Sequence, residues 1–277
     1  MIRGSLLAIA VAGISCVQQA QAADMMLTKA PPAVPAAETW TGFYLGVHAG
    51  WGWTSNNAAT ASSASTPAQA LPPGAFFNPL SFDVSSNGVI GGGQAGFNWQ
   101  VSPSIVLGVE GDISASDLRG SQTLATSSSG FGGPPVAGIG SAFMRQNVDW
   151  LASLRGRIGY VVGPGLLYAT GGAAWAGVAD SANASTSVVG AGCCTFPASF
   201  NSTLSGAVVG AGYEAMLSRN WLVRSEYLFY SFGSVGGTVG PTTTTTPGTC
   251  NGFPCFATYG WGHLDVNTVR LGLSYKL

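Results

Sequence analysis

The strongest constraint on the fold is a two-residue alternation between apolar and small or polar side chains, which recurs along most of the chain. Trp40 to Trp53 shows it near the start, where odd positions are mainly apolar and even positions are mostly small or polar. Val266 to Leu277 shows it most cleanly, with Val269 and Leu271 on one face and Arg270 on the other. Such alternation is typical of a β-strand that has one face in an apolar environment.

The composition indicates which apolar environment these strands face. Asp, Glu, Lys and Arg make up 8% of the 277 residues, whereas they make up about 25% of an average soluble domain. Beyond the first stretch, however, no uninterrupted apolar run is long enough for a transmembrane helix. Low charge combined with alternating hydrophobicity predicts a membrane-spanning β-barrel. A net charge of −1 argues against nucleic-acid binding, which requires clustered Lys and Arg.

Eight alternating segments are joined by long and short connections in strict alternation. The short connections carry turn signals such as Gly163-Pro164-Gly165, and the long ones are rich in small and polar residues. This predicts an all-β fold: an eight-stranded antiparallel transmembrane up-and-down β-barrel with four long surface loops and three short periplasmic turns. The faces of the fifth strand stay unassigned, because its alternation is weak. The predicted strands are Trp40–Trp53, Val89–Val101, Ile105–Ser116, Asp149–Val162, Leu166–Val178, Leu204–Leu217, Trp221–Phe232 and Val266–Leu277.

The first 38 residues predict export and a leader ahead of the barrel. Arg3, an apolar run from Leu6 to Val17 and then Ala20-Gln21-Ala22 follow the order of a secretory signal peptide. We therefore expect residues 1–22 to be a signal peptide, residues 23–38 a Pro/Ala-rich leader and residues 39–277 the barrel domain. The expected location is the outer membrane of a Gram-negative bacterium.

If the apolar faces of the strands meet lipid, eight charged residues point into the lumen. Four are acids and four are arginines, so they can neutralise one another. An eight-stranded barrel is about wide enough for side chains to fill its interior, and we expect a salt-bridged plug. The alternative is a small porin in which these charges set the selectivity of an ion-conducting path. The eight residues are Glu110, Asp112, Arg155, Arg157, Glu214, Arg224, Glu226 and Arg270.

Four cysteines follow the predicted signal peptide: Cys193, Cys194, Cys250 and Cys255. An exported protein folds in an oxidising compartment, so they are disulfide candidates. Three connectivities stay open, from a clip between Cys250 and Cys255 to bridges between two loops. No neighbouring His completes a zinc-binding pattern, and we expect neither a metal nor a cofactor.

Six short motifs stand in order along the chain. They are Lys29-Ala30-Pro31-Pro32, Trp40-Thr41-Gly42-Phe43-Tyr44-Leu45-Gly46, Leu154–Tyr160, Tyr168–Gly172, Arg224–Leu228 and Asn267–Lys276. Together they resemble the small outer-membrane β-barrel ("porin family") surface proteins of alphaproteobacteria. The resemblance implies a closed barrel similar to the transmembrane domain of outer membrane protein A. Two residues depart from that family. Leu277 stands where family members typically have a terminal Phe, which serves in assembly, and His48 stands where Asn is expected.

The expected function is that of a structural outer-membrane protein that contributes to envelope integrity and surface exposure. Its expected partners are outer-membrane lipid, the barrel-assembly machinery during insertion and a host or environmental ligand at the loops. The resemblance also implies an alternative, a surface-binding protein that acts as an adhesin or haem binder, with His263 beside Tyr259 and Trp261 as a possible haem ligand. An enzyme is not expected, since the spacing of the two histidines shows no Ser-His-acid set.

Overall fold

A computed structural model describes residues 39–56, 58–65, 79–126, 139–188, 192–240, 249–250 and 253–277. The predicted signal peptide and the predicted leader lie outside these described residues. The described residues form strands β1 (Gly42–Asn56), β2 (Ala58–Ser65), β3 (Leu80–Asp83), β4 (Asn87–Ser102), β5 (Ile105–Thr126), β6 (Ile139–Val162), β7 (Gly165–Val188), β8 (Gly192–Met216), β9 (Trp221–Phe232), β10 (Val235–Val239), β11 (Thr249–Cys250), β12 (Phe253–Trp261) and β13 (Asp265–Lys276). No helix in this part of the chain is long and apolar enough to cross a membrane.

Eight of these strands close into a barrel in the order β1-β13-β9-β8-β7-β6-β5-β4. Each pairs with its neighbours in antiparallel fashion, and β1 joins β13 through pairs that run from Tyr44–Lys276 to Asn56–Asp265. Tight turns connect β4 to β5, β6 to β7 and β8 to β9. Gly163 adopts a φ of 57° in the second turn, a left-handed conformation that glycine accepts without steric cost. The predicted eight-stranded up-and-down barrel is confirmed.

Four neighbouring barrel strands are much longer than a membrane crossing requires. A transmembrane strand needs about 9–11 residues, whereas β5, β6, β7 and β8 have 22, 24, 24 and 25 residues. They therefore project beyond the membrane at the end opposite the tight turns. A second sheet packs against these extended ends, with the order β10-β12-β2-β3, and β11 pairs with β12.

This extension corrects the expectation that the long connections are plain surface loops. Much of their length is strand, because the alternation continues there with smaller residues. On β7, Ala182 and Ala184 are buried while Asn183 between them is exposed. Alanine alternating with asparagine or serine carries a weak hydrophobic contrast, which explains why the segments resembled loops in sequence.

Large apolar side chains on the outer surface form a band around the barrel, as a lipid-facing surface requires. Aromatic residues mark both edges of this band. At the end with the tight turns they are Trp99, Tyr160, Trp221 and Tyr275, and at the other end they are Trp51, Trp53 and Trp175. Trp40, at the start of the first predicted strand, is only 4% exposed and faces the lumen. The structure assigns the two faces of the fifth predicted strand: Leu166 and Tyr168 point inward, and Leu167 and Trp175 point outward.

The interior is built in layers that can be read along the inward face of β9. From the periplasmic end, Leu222 belongs to a periplasmic layer, and Arg224 and Glu226 belong to a charged layer. Leu228 belongs to the apolar layer that follows, which we call the lower apolar layer. The periplasmic layer consists of Trp40, Val106, Leu166 and Leu222. The lower apolar layer consists of Ile90, Leu118, Val148, Leu151, Ala174, Ala176, Val178, Val208, Leu228, Tyr230, Phe232, Leu264 and Val266. An upper apolar layer, between the long strands and the second sheet, consists of Ala59, Ala61, Phe82, Val84, Ala142, Met144, Ala182, Ala184, Phe196, Ala198, Ala257, Tyr259 and Trp261.

Candidate functional site

The eight predicted lumen charges come together in the charged layer. Alternation places them inward, and their strands are neighbours or face one another across a narrow barrel. Every one of their side chains is at most 3% exposed. Glu110 and Asp112 lie on β5, Arg155 and Arg157 on β6, Glu214 on β8, Arg224 and Glu226 on β9, and Arg270 on β13.

Arg155 is the centre of this layer, because its guanidinium contacts three carboxylates. Nη2 lies 2.5 Å from Glu110 Oε1 and 3.2 Å from Asp112 Oδ2, and Nη1 lies 2.9 Å from Glu226 Oε1. Arg270 contacts two of the same acids, Asp112 at 3.0 Å and Glu226 at 2.6 Å. Acids shared between arginines bind the four strands that supply these groups into one unit.

Glu214 and Glu110 hold the remaining two arginines. Glu214 Oε2 lies 3.3 Å from Arg157 Nη1 and 3.1 Å from Arg224 Nη2. Glu110 Oε2 also lies 2.5 Å from Arg224 Nη1. Buried charges are tolerated only when they are paired and hydrogen-bonded. Four acids against four arginines satisfy the pairing requirement within the lumen.

Two tyrosines complete the charged layer, although neither is among the eight lumen residues predicted from the sequence. Tyr44 donates a hydrogen bond to Glu110, and Tyr168 donates one to Glu226 at 3.1 Å. The Arg157 guanidinium carbon also lies 4.1 Å from the centre of the Tyr168 ring, a cation–π distance. Both tyrosines occupy inward positions of their strands, so alternation together with the motif resemblance was the signal that could have found them.

His48 extends the layer through contacts with Ser114, Gln94 and Arg270. Its Nε2 lies 2.7 Å from Ser114 Oγ and 3.4 Å from Arg270 Nη1, and its Nδ1 lies 3.1 Å from Gln94 Oε1. A serine beside an imidazole resembles part of a hydrolytic triad, but the third member here is an amide. His48 is 5% exposed and Ser114 is 1% exposed. The pair therefore serves packing of the lumen better than attack on a substrate.

The other residues singled out in the sequence lie elsewhere. His263 is exposed beyond the end of β12, and its Nδ1 lies 3.1 Å from the Phe232 carbonyl oxygen. Tyr259 and Trp261 point into the upper apolar layer and are 1% and 3% exposed. The surface beside His263 therefore lacks the two aromatic rings that the haem hypothesis places there.

The four cysteines lie on strands, with Cys193 and Cys194 on β8, Cys250 on β11 and Cys255 on β12. Their side chains lie outside the described part of the structure, so the disulfide hypothesis stays a prediction. Among the described residues, no group of three or more His, Cys, Asp or Glu side chains is placed to hold a metal ion.

A closed antiparallel barrel with an apolar outer band and a charged interior defines an integral outer-membrane protein. Residues 7–276 match the family described as outer membrane protein beta-barrel domain, and the chain belongs to this family. The predicted family resemblance and outer-membrane location are confirmed.

Two named relatives are outer-membrane proteins. The chain is 29% identical over 274 residues to the 31 kDa outer-membrane immunogenic protein of Brucella melitensis, a match covering 93% of each chain. It is 32% identical over 145 residues to the 22 kDa outer membrane protein of Rhizobium leguminosarum bv. viciae, covering 52% of this chain and 53% of that one. The crystal structure of outer membrane protein OprG from Pseudomonas aeruginosa aligns with 86% of this chain and 97% of its own, with 9% identity and a TM-score of 0.42.

Proposed function

We propose that this protein is a structural component of the outer membrane and that its barrel holds no open channel. The observation that carries the proposal is the order of layers along the lumen, which is read most directly on β9. From the periplasmic end, its inward residues enter an apolar layer, a charged layer and a second apolar layer in turn. An ion would have to displace packed apolar side chains at several levels, and burying an unpaired charge there is costly.

Single-channel recording in planar lipid bilayers tests the absence of a channel. The refolded full chain should pass no steady current, with heat-modifiable gel mobility as the check that it has folded. Discrete conductance steps from the native protein would overturn the proposal and favour the small-porin alternative.

A matched pair of variants sharpens this experiment. Leu166→Ala removes a side chain from the periplasmic layer, whereas Leu167→Ala removes the same side chain from the lipid-facing surface of the same strand. Both should stay silent, because the charged layer and the apolar layers above it remain in place. A current that arises in Leu166→Ala alone would mean that the periplasmic layer is the sole barrier, contrary to the proposal.

Recognition of a host or environmental ligand at the extracellular end is the second candidate. The projecting strands and the second sheet favour it, since function commonly resides on loops held by a rigid scaffold. Replacing residues 127–138 or 241–248 with Gly-Ser linkers of equal length should reduce the adherence of cells that display the barrel. Undiminished adherence of both variants, at equal surface display, would argue against this candidate.

Export and assembly complete the proposed function. Residues 1–22 would direct export, the barrel-assembly machinery would insert the barrel, and the relatives' names, which describe immunogenic outer-membrane proteins rather than enzymes, favour a non-catalytic role. N-terminal sequencing of the protein from purified outer membranes tests cleavage after Ala22. A mature chain that still begins at residue 1 would contradict it.

A further inference from the structure

A small polar pocket lies on the outer wall of the barrel, just beyond the edge of the lipid-facing band. It has a volume of about 280 Å³, and its lining includes Asp149, Trp150, Gly177, Asn201 and Thr203. Strand register explains the grouping, because Trp150 on β6 pairs with Gly177 on β7, which pairs with Thr203 on β8. The pocket therefore spans three neighbouring strands of one rigid wall.

Two irregularities build this pocket. The pairing of β6 with both of its neighbours shifts next to Trp150, and this bulge includes Asp149, whose side chain is exposed. Bulges re-aim side chains in this way. Gly177 provides the second irregularity, since a Cβ atom at that position would collide with Trp150 Nε1. The indole of Trp150 consequently packs over Gly177 and forms one side of the pocket.

The polar side chains around the indole have no partner among the described residues. Among the residues that the structure describes, the side chains of Asp149, Asn201 and Thr203 form no ion pair or hydrogen bond with another residue. A carboxylate accepts hydrogen bonds, an amide donates and accepts, and a hydroxyl does both. Beside them stands an apolar ring face that is only partly covered. A few polar groups around an aromatic surface are typical of a pocket for a small ligand.

The position of the pocket further restricts the chemical class of the ligand. Trp175, an aromatic residue at the edge of the lipid band, lies on β7 two residues before Gly177 and is 38% exposed. The pocket thus opens at the level of lipid headgroups on the extracellular side. Asp149 disfavours a phosphate at this point, because like charges repel. A neutral group with hydroxyls on its rim and C–H bonds on its face satisfies both the polar side chains and the indole.

We propose that this pocket binds one sugar unit of a glycan at the membrane surface. The sugar ring stacks on Trp150, and its hydroxyls hydrogen-bond to Asp149, Asn201 and Thr203. The volume suits one monosaccharide unit, since it lies at or below the small end of the range for ligand pockets, about 300–1,000 Å³. The sugar belongs either to an outer-leaflet glycolipid or to a soluble glycan.

The test uses the full chain, folded in a polyoxyethylene detergent, which carries no sugar. Saturation-transfer NMR measures binding of the oligosaccharide released from lipopolysaccharide, and native mass spectrometry counts bound molecules of intact lipopolysaccharide. Phosphatidylglycerol is the sugar-free control lipid. Binding to both glycans would mean that the pocket recognises the sugar without its lipid. Binding only to the intact lipid would identify a membrane glycolipid as the source.

Variants connect the binding to the pocket. Asp149→Asn combined with Asn201→Ala should weaken glycan binding at least about tenfold, a change of about 1.4 kcal/mol. Asn183→Ala is the matched control, an exposed asparagine on β7 outside the pocket, and it should bind as the native protein does. Heat-modifiable mobility verifies that each variant folds. Failure to bind either glycan, or equal binding by the double variant and the control, would overturn the proposal.

Discussion

The membrane half and the extracellular half of this barrel share strands but reverse their polarity. On β7, the outward side chains Leu167 and Trp175 face lipid, while the inward Tyr168 joins the charged layer. Farther along the same strand, the outward Asn183 is polar, and the inward Ala182 is apolar. The change occurs just beyond Trp175, at the edge of the lipid band.

This comparison shows that a strand's alternation responds to the solvent on its outer face. In lipid the outward side chains must be apolar, and the interior holds the charged and hydrogen-bonded groups between its apolar layers. In water the outer face is polar, and burial of apolar side chains stabilises the interior as in a soluble domain. The two halves should therefore respond in opposite ways to the same kind of substitution.

The largest expected effect comes from breaking the charged layer. Arg155→Met removes the guanidinium that contacts Glu110, Asp112 and Glu226. Losing one partner from a buried charge network should destabilise the barrel by about 3–5 kcal/mol. Urea unfolding in lipid vesicles, followed by tryptophan fluorescence, measures the free energy of unfolding.

A control from the extracellular half separates burial from charge. Arg119 pairs with Asp117 at 2.6 Å, but both side chains are more than half exposed. Arg119→Met should therefore cost less than about 1 kcal/mol. Equal losses in the two variants would show that the charged layer is solvated and does not act as a buried network.

The second prediction tests the reversal on the outer surface. Leu154 is 60% exposed in the lipid band, and Leu154→Arg should destabilise the barrel by about 2–4 kcal/mol in vesicles. Asn183→Arg places the same side chain on the outer face of the extracellular half, where the expected change is within about 0.5 kcal/mol. A comparable loss at both positions would mean that the lipid band continues past Trp175.

How much of this could be predicted from the sequence depended on the contrast between the two faces of each strand. Charged residues among apolar ones identify the membrane half clearly, so the eight barrel strands and the inward face of Arg155 followed from alternation. β9 was predicted with its bounds, Trp221–Phe232. There the inward Arg224 is charged and the outward Val223 is apolar, so the two faces differ strongly in polarity.

The extracellular half gave a weaker signal for a physical reason. Alanine at 182 and 184 removes little apolar area from water compared with leucine, and its serine and asparagine neighbours are common in loops. The second sheet could not be foreseen either, because pairs such as Thr258–Ser62 join segments almost two hundred residues apart. The pocket at Trp150 depended on a bulge, which alternation alone does not reveal.

The third prediction concerns a charge inside the extracellular half. Asp180 is 1% exposed and lies on β7 between Val178 of the lower apolar layer and Ala182 of the upper one. Neither of its carboxylate oxygens has a hydrogen-bond partner among the described residues. Burial raises the pKa of Asp180 from 3.8 to about 7, and the adjacent Gln146 amide offsets only part of that rise.

The direction of the resulting pH dependence follows from proton linkage. Between the pKa of the unfolded chain and that of the folded chain, the folded state binds more protons at Asp180, so stability falls as the pH rises. The stabilisation is fully present below about pH 4 and is lost as the pH passes through about 7. From pH 5 to pH 8 the loss should be about 2–3 kcal/mol.

Asp180→Asn isolates this contribution, because an amide of nearly the same shape does not titrate. Urea unfolding of both proteins at pH 5 and at pH 8 should show the native barrel losing about 2–3 kcal/mol relative to the variant. Parallel changes in the two proteins would mean that the Asp180 carboxylate is solvated inside the extracellular half. The interior between its two apolar layers would then not resemble a soluble core, and the contrast with the charged membrane half would be reduced to the outer surface alone.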